Sequence, residues 1–262
     1  MRDGDLVFVA DSHLEGGDEA EVRRFLRFLE ARRRDTAVLY LVGDIFKIWL
    51  GSEKFTMDHQ RPVVDALASL RRDGVRLVMV EGNREFFLGR FEGSAFDRVE
   101  SRVASEVFAG LRFHVSHGDL LNTRDWPYRI FRRVTKSRPV WWLFNLLPGG
   151  AGVRFAERLE ARLKTANLRH KRSFPAEQAL AYGRRFVEEG YDVGVIGHLH
   201  VERVMEVGPE SGPRRRLYVL PGWIETHRFL RFAPDGSVSY ETFADAPEAG
   251  VRATERRPGP TT

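Results

Sequence analysis

The sequence predicts a layered α/β domain carrying a helical insertion, on three observations. Short apolar runs rich in Val, Ile and Phe recur along the chain. Between them lie stretches whose apolar residues fall at three- and four-residue spacing, so the strand and helix periods alternate. The runs are apolar throughout rather than every second residue, as in strands covered on both faces. One region, residues 122–173, breaks the alternation with aromatic and basic residues and is the insertion.

Taken in order, LVFVA (6–10) is the first strand and EVRRFLRFLEARRR (21–34) the first covering helix. AVLYLV (37–42) follows, then PVVDALASLRRDG (62–74), a second helix closed by Gly74, and the strand RLVMVE (76–81). LRFHVS (111–116) precedes the insertion. After it, PAEQALAYGRRFVEEG (175–190) has Pro175 near its start and Gly190 after its end, the usual helix punctuation, and leads into the strand DVGVI (192–196). VERVMEV, RRLYVLPGW and HRFLRFAPDGSVSYETF then alternate around a PDG turn and predict antiparallel strands extending the sheet. From Ala246 the chain is small, polar and Pro-rich, which predicts a disordered tail over 246–262. The expected organisation is one domain over 1–245, with 122–173 as a helical cap or lid.

A chain of 262 residues suits one large domain. It has no cysteine, which excludes disulfides and thiolate metal ligands. The first apolar run arrives too early and is too short for a secretory core, and no segment approaches the roughly 18 apolar residues of a membrane span. The net charge of +5 is uneven: from Leu120 to Phe174 there are thirteen Lys or Arg against three acids, +10 in all, leaving −5 elsewhere. Such a concentration fits a polyanionic partner, whether a phosphate-bearing substrate, nucleic acid or an anionic membrane surface. Trp126, Trp141 and Trp142 lie in the same segment, and aromatic residues interleaved with Arg describe an interfacial element that rests on a membrane or closes over an acyl chain.

The chemistry sits where the strands stop. ADSHL (10–14), GDIF (43–46), GNREFF (82–87), SHGDL (116–120) and GHLH (197–200) each end an apolar run with Asp, Asn or His. Ligands of layered α/β proteins collect at the carboxyl ends of strands, so Asp11, His13, Asp44, Asn83, His117, His198 and His200 are expected on one rim. This oxygen and nitrogen set suits Mn²⁺, Fe²⁺ or Zn²⁺, and a shared Asp can bridge two such ions.

Order and spacing resemble the calcineurin-like metallophosphoesterases, with their D-x-H, GD, GN, H-G-D and G-H-x-H motifs, over residues 7–200. The resemblance implies that family's layered fold and two divalent ions, taken as Mn²⁺ from the narrower likeness given next. It places Asp11, His13 and His200 on one ion, Asn83, His117 and His198 on the other, and Asp44 between them. Arg84 after the GN, Asp125 and Tyr128 after the HGD, and Trp49 five residues beyond Asp44 look most like the UDP-2,3-diacylglucosamine pyrophosphatases of lipid A synthesis. Those are cytoplasmic proteins, peripheral on the inner membrane, that release UMP and 2,3-diacylglucosamine 1-phosphate from a nucleotide-activated glycolipid. Carried over, Asp44, Asn83, Arg84 and His198 serve catalysis, and Asn83, Arg84, Asp125, Tyr128, Lys164, Asn167, Lys171 and His198 bind substrate.

Five positions depart from that pattern. Glu85 stands for the usual Asp, Lys164, Asn167 and Lys171 align only with a one-residue shift, and Ile224 follows Trp223 where relatives can place a histidine. Arg84 in its own right offers a planar bidentate cation for a phosphate oxygen. Asp125 equally suits a helix cap. Two other readings stand beside this one: a phosphodiesterase for another nucleotide or for nucleic acid, and a catalytically dead scaffold, which would ordinarily have lost ligands. No protein partner is called for.

Overall fold

A computed structural model of the chain describes residues 3–166, 174–208 and 214–244. The first part runs β1 (Asp5–Val9), α1 (Glu19–Ala31), β2 (Thr36–Leu41), β3 (Trp49–Leu50), α2 (Arg61–Arg72), β4 (Arg76–Val80) and β5 (Glu85–Phe86). Next come β6 (Arg98–Glu100), β7 (Val103–Phe108), β8 (Leu111–Ser116) and three successive helices, α3 (Trp126–Thr135), α4 (Arg138–Leu146) and α5 (Gly149–Ala166). The chain continues with α6 (Ala176–Glu188), β9 (Val193–Ile196), β10 (Arg203–Glu206), β11 (Arg216–Val219), α7 (Trp223–Thr226), β12 (Arg228–Phe232) and β13 (Val238–Thr242). The expected tail, 246–262, lies outside the described residues.

Two sheets face each other. One has the order β13-β12-β1-β2-β4-β6, with β1, β2, β4 and β6 parallel; the other is β10-β11-β9-β8-β7. Residues along β1 alternate between two cores, as side chains on a strand must. Val7 and Val9 join Phe25, Phe28 and Leu67 under α1 and α2, whereas Leu6 and Phe8 meet Phe113, Val115 and Val195 of the second sheet. A third core packs α6 on that sheet's far side through Ala179 and Phe186. Every residue of β1 and β2 is therefore buried, which is why their sequences do not alternate.

One expectation needs correction. RRLYVL was expected among the antiparallel strands extending the sheet, but β11 lies in the second of two sheets and runs parallel to β9. The GHLH loop carries the chain past that slot to the edge, where β10 forms and pairs antiparallel with β11 on the way back. Only β12 and β13 extend the first sheet as antiparallel strands.

The three helices of the insertion attach in different ways. The end of α4 and the start of α5 pack on the 53–55 turn, where Phe144 and Val153 join Leu50, Phe55 and Met57. Lys54 Nζ donates to the Asn145 and Leu147 carbonyls at 2.6 and 3.2 Å. α3 buries only one side chain, Arg132. Among the described residues no helix is long and apolar enough to cross a membrane.

Candidate metal centre

The parallel strands of both sheets end at one rim, and their next residues turn sharply. Asp11, His13, Asp44, His198 and His200 all have positive φ, between 44° and 69°. Non-glycine residues adopt this region at a cost of about 1–2 kcal/mol each, so the loops hold it with cross-links. Asp11 N–H donates to the Gly43 carbonyl, His13 N–H to that of Asp44, and His198 N–H to Asp11 Oδ2 at 2.8 Å.

The seven expected residues come together in two groups. His13 Nε2 lies 3.2 Å from His200 Nε2, and Asp11 Oδ1 is 3.9 and 3.4 Å from these two nitrogens. On the other side His117 Nε2 is 3.2 Å from both Asn83 Oδ1 and His198 Nδ1. Asp44 divides its oxygens between the groups: Oδ1 is 3.6 Å from His117 Nε2 and Oδ2 is 4.0 Å from His13 Nε2. Ligand atoms about 2.0–2.2 Å from a common ion lie roughly 3–4 Å from one another, so these separations fit two cations. Asp11 Oδ1 and His13 Nδ1 are buried without hydrogen-bond partners, and a carboxylate oxygen left so is satisfied by a cation.

Surrounding groups fix the ring orientations. His117 Nδ1–H donates to the Val42 carbonyl at 2.9 Å and His200 Nδ1–H donates to the Glu225 carboxylate at 2.9 Å, which turns both Nε2 atoms inward. Gly43 cannot carry a side chain, because a Cβ there would run into the His117 imidazole and its φ is +80°. Glu85 is fully buried, and its carboxylate accepts the N–H groups of Gly82, Asp44 and Ile45 at 2.8 to 2.9 Å. The substituted acid thus staples the Asp44 loop to the Asn83 loop. Burial first, and then the neighbouring Asp44, push Glu85 up to about 7.

The electrostatics match a cation site. Burial alone would raise the Asp11 carboxyl, yet the His200, His117 and His13 imidazoles hold it below its ordinary range. Burial disfavours charge on His200 as well, but Asp11 and Glu225 outweigh it and raise the imidazole to about 10. His117 rises in the same sense through Asp44 and Asp11 against the effect of burial. Burial lowers His13 to about 3 and His198 to about 4.

The expected substrate contacts are placed less uniformly. Arg84 stands on the rim, its N–H donating to Asp44 Oδ1 at 3.0 Å and its Nε 3.9 Å from Asp44 Oδ2. Asp125 caps α3 by accepting the Tyr128 N–H at 3.1 Å, and the Tyr128 hydroxyl donates to Asp119 at 2.5 Å. Asn167, Lys171 and the side chain of Lys164 lie outside the described residues. Trp49 is core, against Phe46, Phe91 and Phe96. His114 faces away from the rim and lines a cavity of about 590 Å³ in which the Tyr182 hydroxyl bonds both Ser116 and His114.

Sequence reasoning did not find the roles of Glu225 or Asp119. Asp119 was visible as the acid of HGD, but Glu225 stands in a four-residue helix whose sequence has no period to read.

No protein-family model matches the chain. A UDP-2,3-diacylglucosamine hydrolase of Ralstonia nicotianae is 32% identical over 256 residues, covering 91% of this chain and 92% of that protein. Proteins of the same name from Salmonella arizonae and Aeromonas salmonicida are 31% and 29% identical, each covering 87% of this chain and 95% and 89% of their own lengths. Among solved structures, an archaeal phosphodiesterase superposes with a TM-score of 0.46 at 10% identity, covering 91% of this chain and 99% of its own.

Proposed function

The chain belongs to the UDP-2,3-diacylglucosamine hydrolase family, and we propose that it hydrolyses the pyrophosphate of UDP-2,3-diacylglucosamine to UMP and 2,3-diacylglucosamine 1-phosphate using two divalent cations. Asp11, His13 and His200 would hold one ion, Asn83, His117 and His198 the other, with Asp44 between them. The observation that carries this is the division of Asp44, one oxygen toward each histidine group. When bound, the ions supply acidity for water and positive charge for phosphoryl oxygens. The mix of imidazole, carboxylate and amide, with no thiol, suits Mn²⁺, Fe²⁺ or Zn²⁺, and the family resemblance is what favours Mn²⁺ among them.

The side chains around the ions define the remaining work. Arg84, with its backbone tied to Asp44, places a planar guanidinium beside the phosphate position. Asn83 and His198 face the same space from the two sheets. Asp125 retains one carboxylate oxygen beyond its cap for a sugar hydroxyl or amide, and Tyr128 contributes its ring.

The insertion supports a lipid substrate and contact with an anionic membrane. Trp126 is 65% exposed and Trp142 66%, with Ile130, Phe131, Leu143 and Leu146 exposed beside them in the basic segment. Trp141 differs: its ring packs on Phe87 and under Arg90. On this reading the protein works peripherally at the cytoplasmic face of the inner membrane.

The test is a substrate panel with Mn²⁺ and with EDTA: UDP-2,3-diacylglucosamine, UDP-N-acetylglucosamine, bis-p-nitrophenyl phosphate and single-stranded DNA. UMP released fastest from the diacylated substrate and abolished by EDTA is the expected result. Preference for single-stranded DNA, falling steeply with salt, would replace the lipid reading by a nucleic-acid one.

A further inference from the structure

Helix α3 is amphipathic in the inverse sense. Its outward stripe, Trp126, Ile130 and Val134, is apolar and exposed, and the stripe facing the protein is Tyr128, Arg132 and, at the C-cap, Lys136, successive residues four apart. Apolar burial therefore does not place this helix against the protein. Each inward residue instead grips a loop that carries a candidate ligand of the second ion. Tyr128 Oη–H and Arg132 Nε–H donate to Asp119 Oδ2 at 2.5 and 2.6 Å, two residues beyond His117. Arg132 Nη2 also donates to the Ser101 carbonyl at 2.9 Å. Lys136 Nζ donates to the Gly82 carbonyl at 2.7 Å and to Glu81 Oε2 at 3.1 Å, immediately before Asn83, and Glu81 Oε1 accepts the Leu88 N–H at 2.7 Å.

We infer that Lys136 and Arg132 are positioning residues of the second metal site: α3 of the insertion holds the Asn83 and His117 loops at their working separation. This rests on the dinuclear reading above. Near-buried ion pairs return little net stability once desolvation is counted, whereas they do specify one geometry, which is the use these contacts fit. The acceptors tell the same story. The Gly82 carbonyl belongs to the peptide unit that joins Gly82 to Asn83, so releasing it changes the direction of the Asn83 side chain without touching the Asp11, His13 and His200 group. Groups that orient metal ligands at one remove typically alter affinity or activity by about 10- to 100-fold.

The experiment titrates EDTA-treated full-length protein with Mn²⁺ by calorimetry and measures bis-p-nitrophenyl phosphate hydrolysis, for wild type, Lys136→Met, Lys136→Gln and Lys136→Arg. Lys136→Met and Lys136→Gln should weaken the second Mn²⁺ and lower kcat by about 10- to 100-fold, with KM and the first Mn²⁺ within about twofold of wild type. Lys136→Arg, which can still reach both acceptors, should recover most of the loss. Second-ion affinity and kcat within twofold of wild type in both neutral variants would overturn the inference, as would equal weakening of both ions. The titration needs no substrate, so a wild type that binds two ions but leaves UDP-2,3-diacylglucosamine intact would refute the functional proposal alone.

Discussion

In the proposed dinuclear site, Asp44 is the residue on which both ion groups would depend. Asp44→Ala should remove both ions and lower turnover by at least about a thousandfold, roughly 4 kcal/mol of barrier, while circular dichroism stays that of the folded protein. Two ions bound with near-normal turnover in that variant would exclude the bridge. Arg84→Lys separates recognition from metal binding: metal content should hold while kcat/KM falls about 10- to 100-fold, because an ammonium cannot reproduce the bidentate geometry. Calorimetry in buffers of different ionisation enthalpy gives a third test. Asp11 and Glu225 raise His200 to about 10, so at neutral pH the EDTA-treated protein carries that proton and a cation must displace it. Metal binding should therefore release protons, and affinity should rise with pH up to about 10; proton uptake, or an affinity flat from pH 6 to 8, would contradict it. Such candidate ligands could be picked out in the sequence because a polar residue ending a strand buried on both faces has few other reasons to be there. The supporting acids were not. Glu85 could be seen as a lengthened replacement, but that its extra methylene lets one carboxylate collect three N–H groups from two loops follows only from the loops' approach in space.

Strands and helices were legible in proportion to how fully they are buried. β4, β8 and β9 lie inside the apolar runs that announced them, β1 and β2 begin one residue before theirs, and α1, α2 and α6 follow their spacing. β7 escaped because it is an edge strand, alternately exposed and buried, and β6 because it is three residues long. The direction of β11 could not be read at all, since a strand's sequence records its burial and not its neighbour. The contact of the two sheets allows a direct check. Phe8 is buried between Tyr40, Phe113 and Phe232, so Phe8→Ala should destabilise the fold by about 3–5 kcal/mol in urea unfolding. A loss under 1 kcal/mol would mean that this interface is not the packed core described.

Taken whole, the protein sets the candidate metal rim at the meeting of two sheets and puts a basic, aromatic insertion beside it. Among the described residues, part of the charge imbalance counted in the sequence falls on α3 and α4, whose Trp126, Ile130, Trp142 and Leu143 face out, which neither pattern alone discloses. Replacing Trp126 and Trp142 by Ser should weaken binding to anionic vesicles and raise KM for a diacylated substrate, each buried methylene being worth about 0.8 kcal/mol, while bis-p-nitrophenyl phosphate hydrolysis stays unchanged. Equal losses on both substrates would assign these tryptophans to folding instead. The most direct measurement of the whole proposal is release of UMP from UDP-2,3-diacylglucosamine by protein loaded with two Mn²⁺ per chain. UMP and 2,3-diacylglucosamine 1-phosphate should appear in equal amounts and cease with EDTA, whereas a fully loaded protein that leaves this substrate intact while hydrolysing another phosphodiester would contradict it.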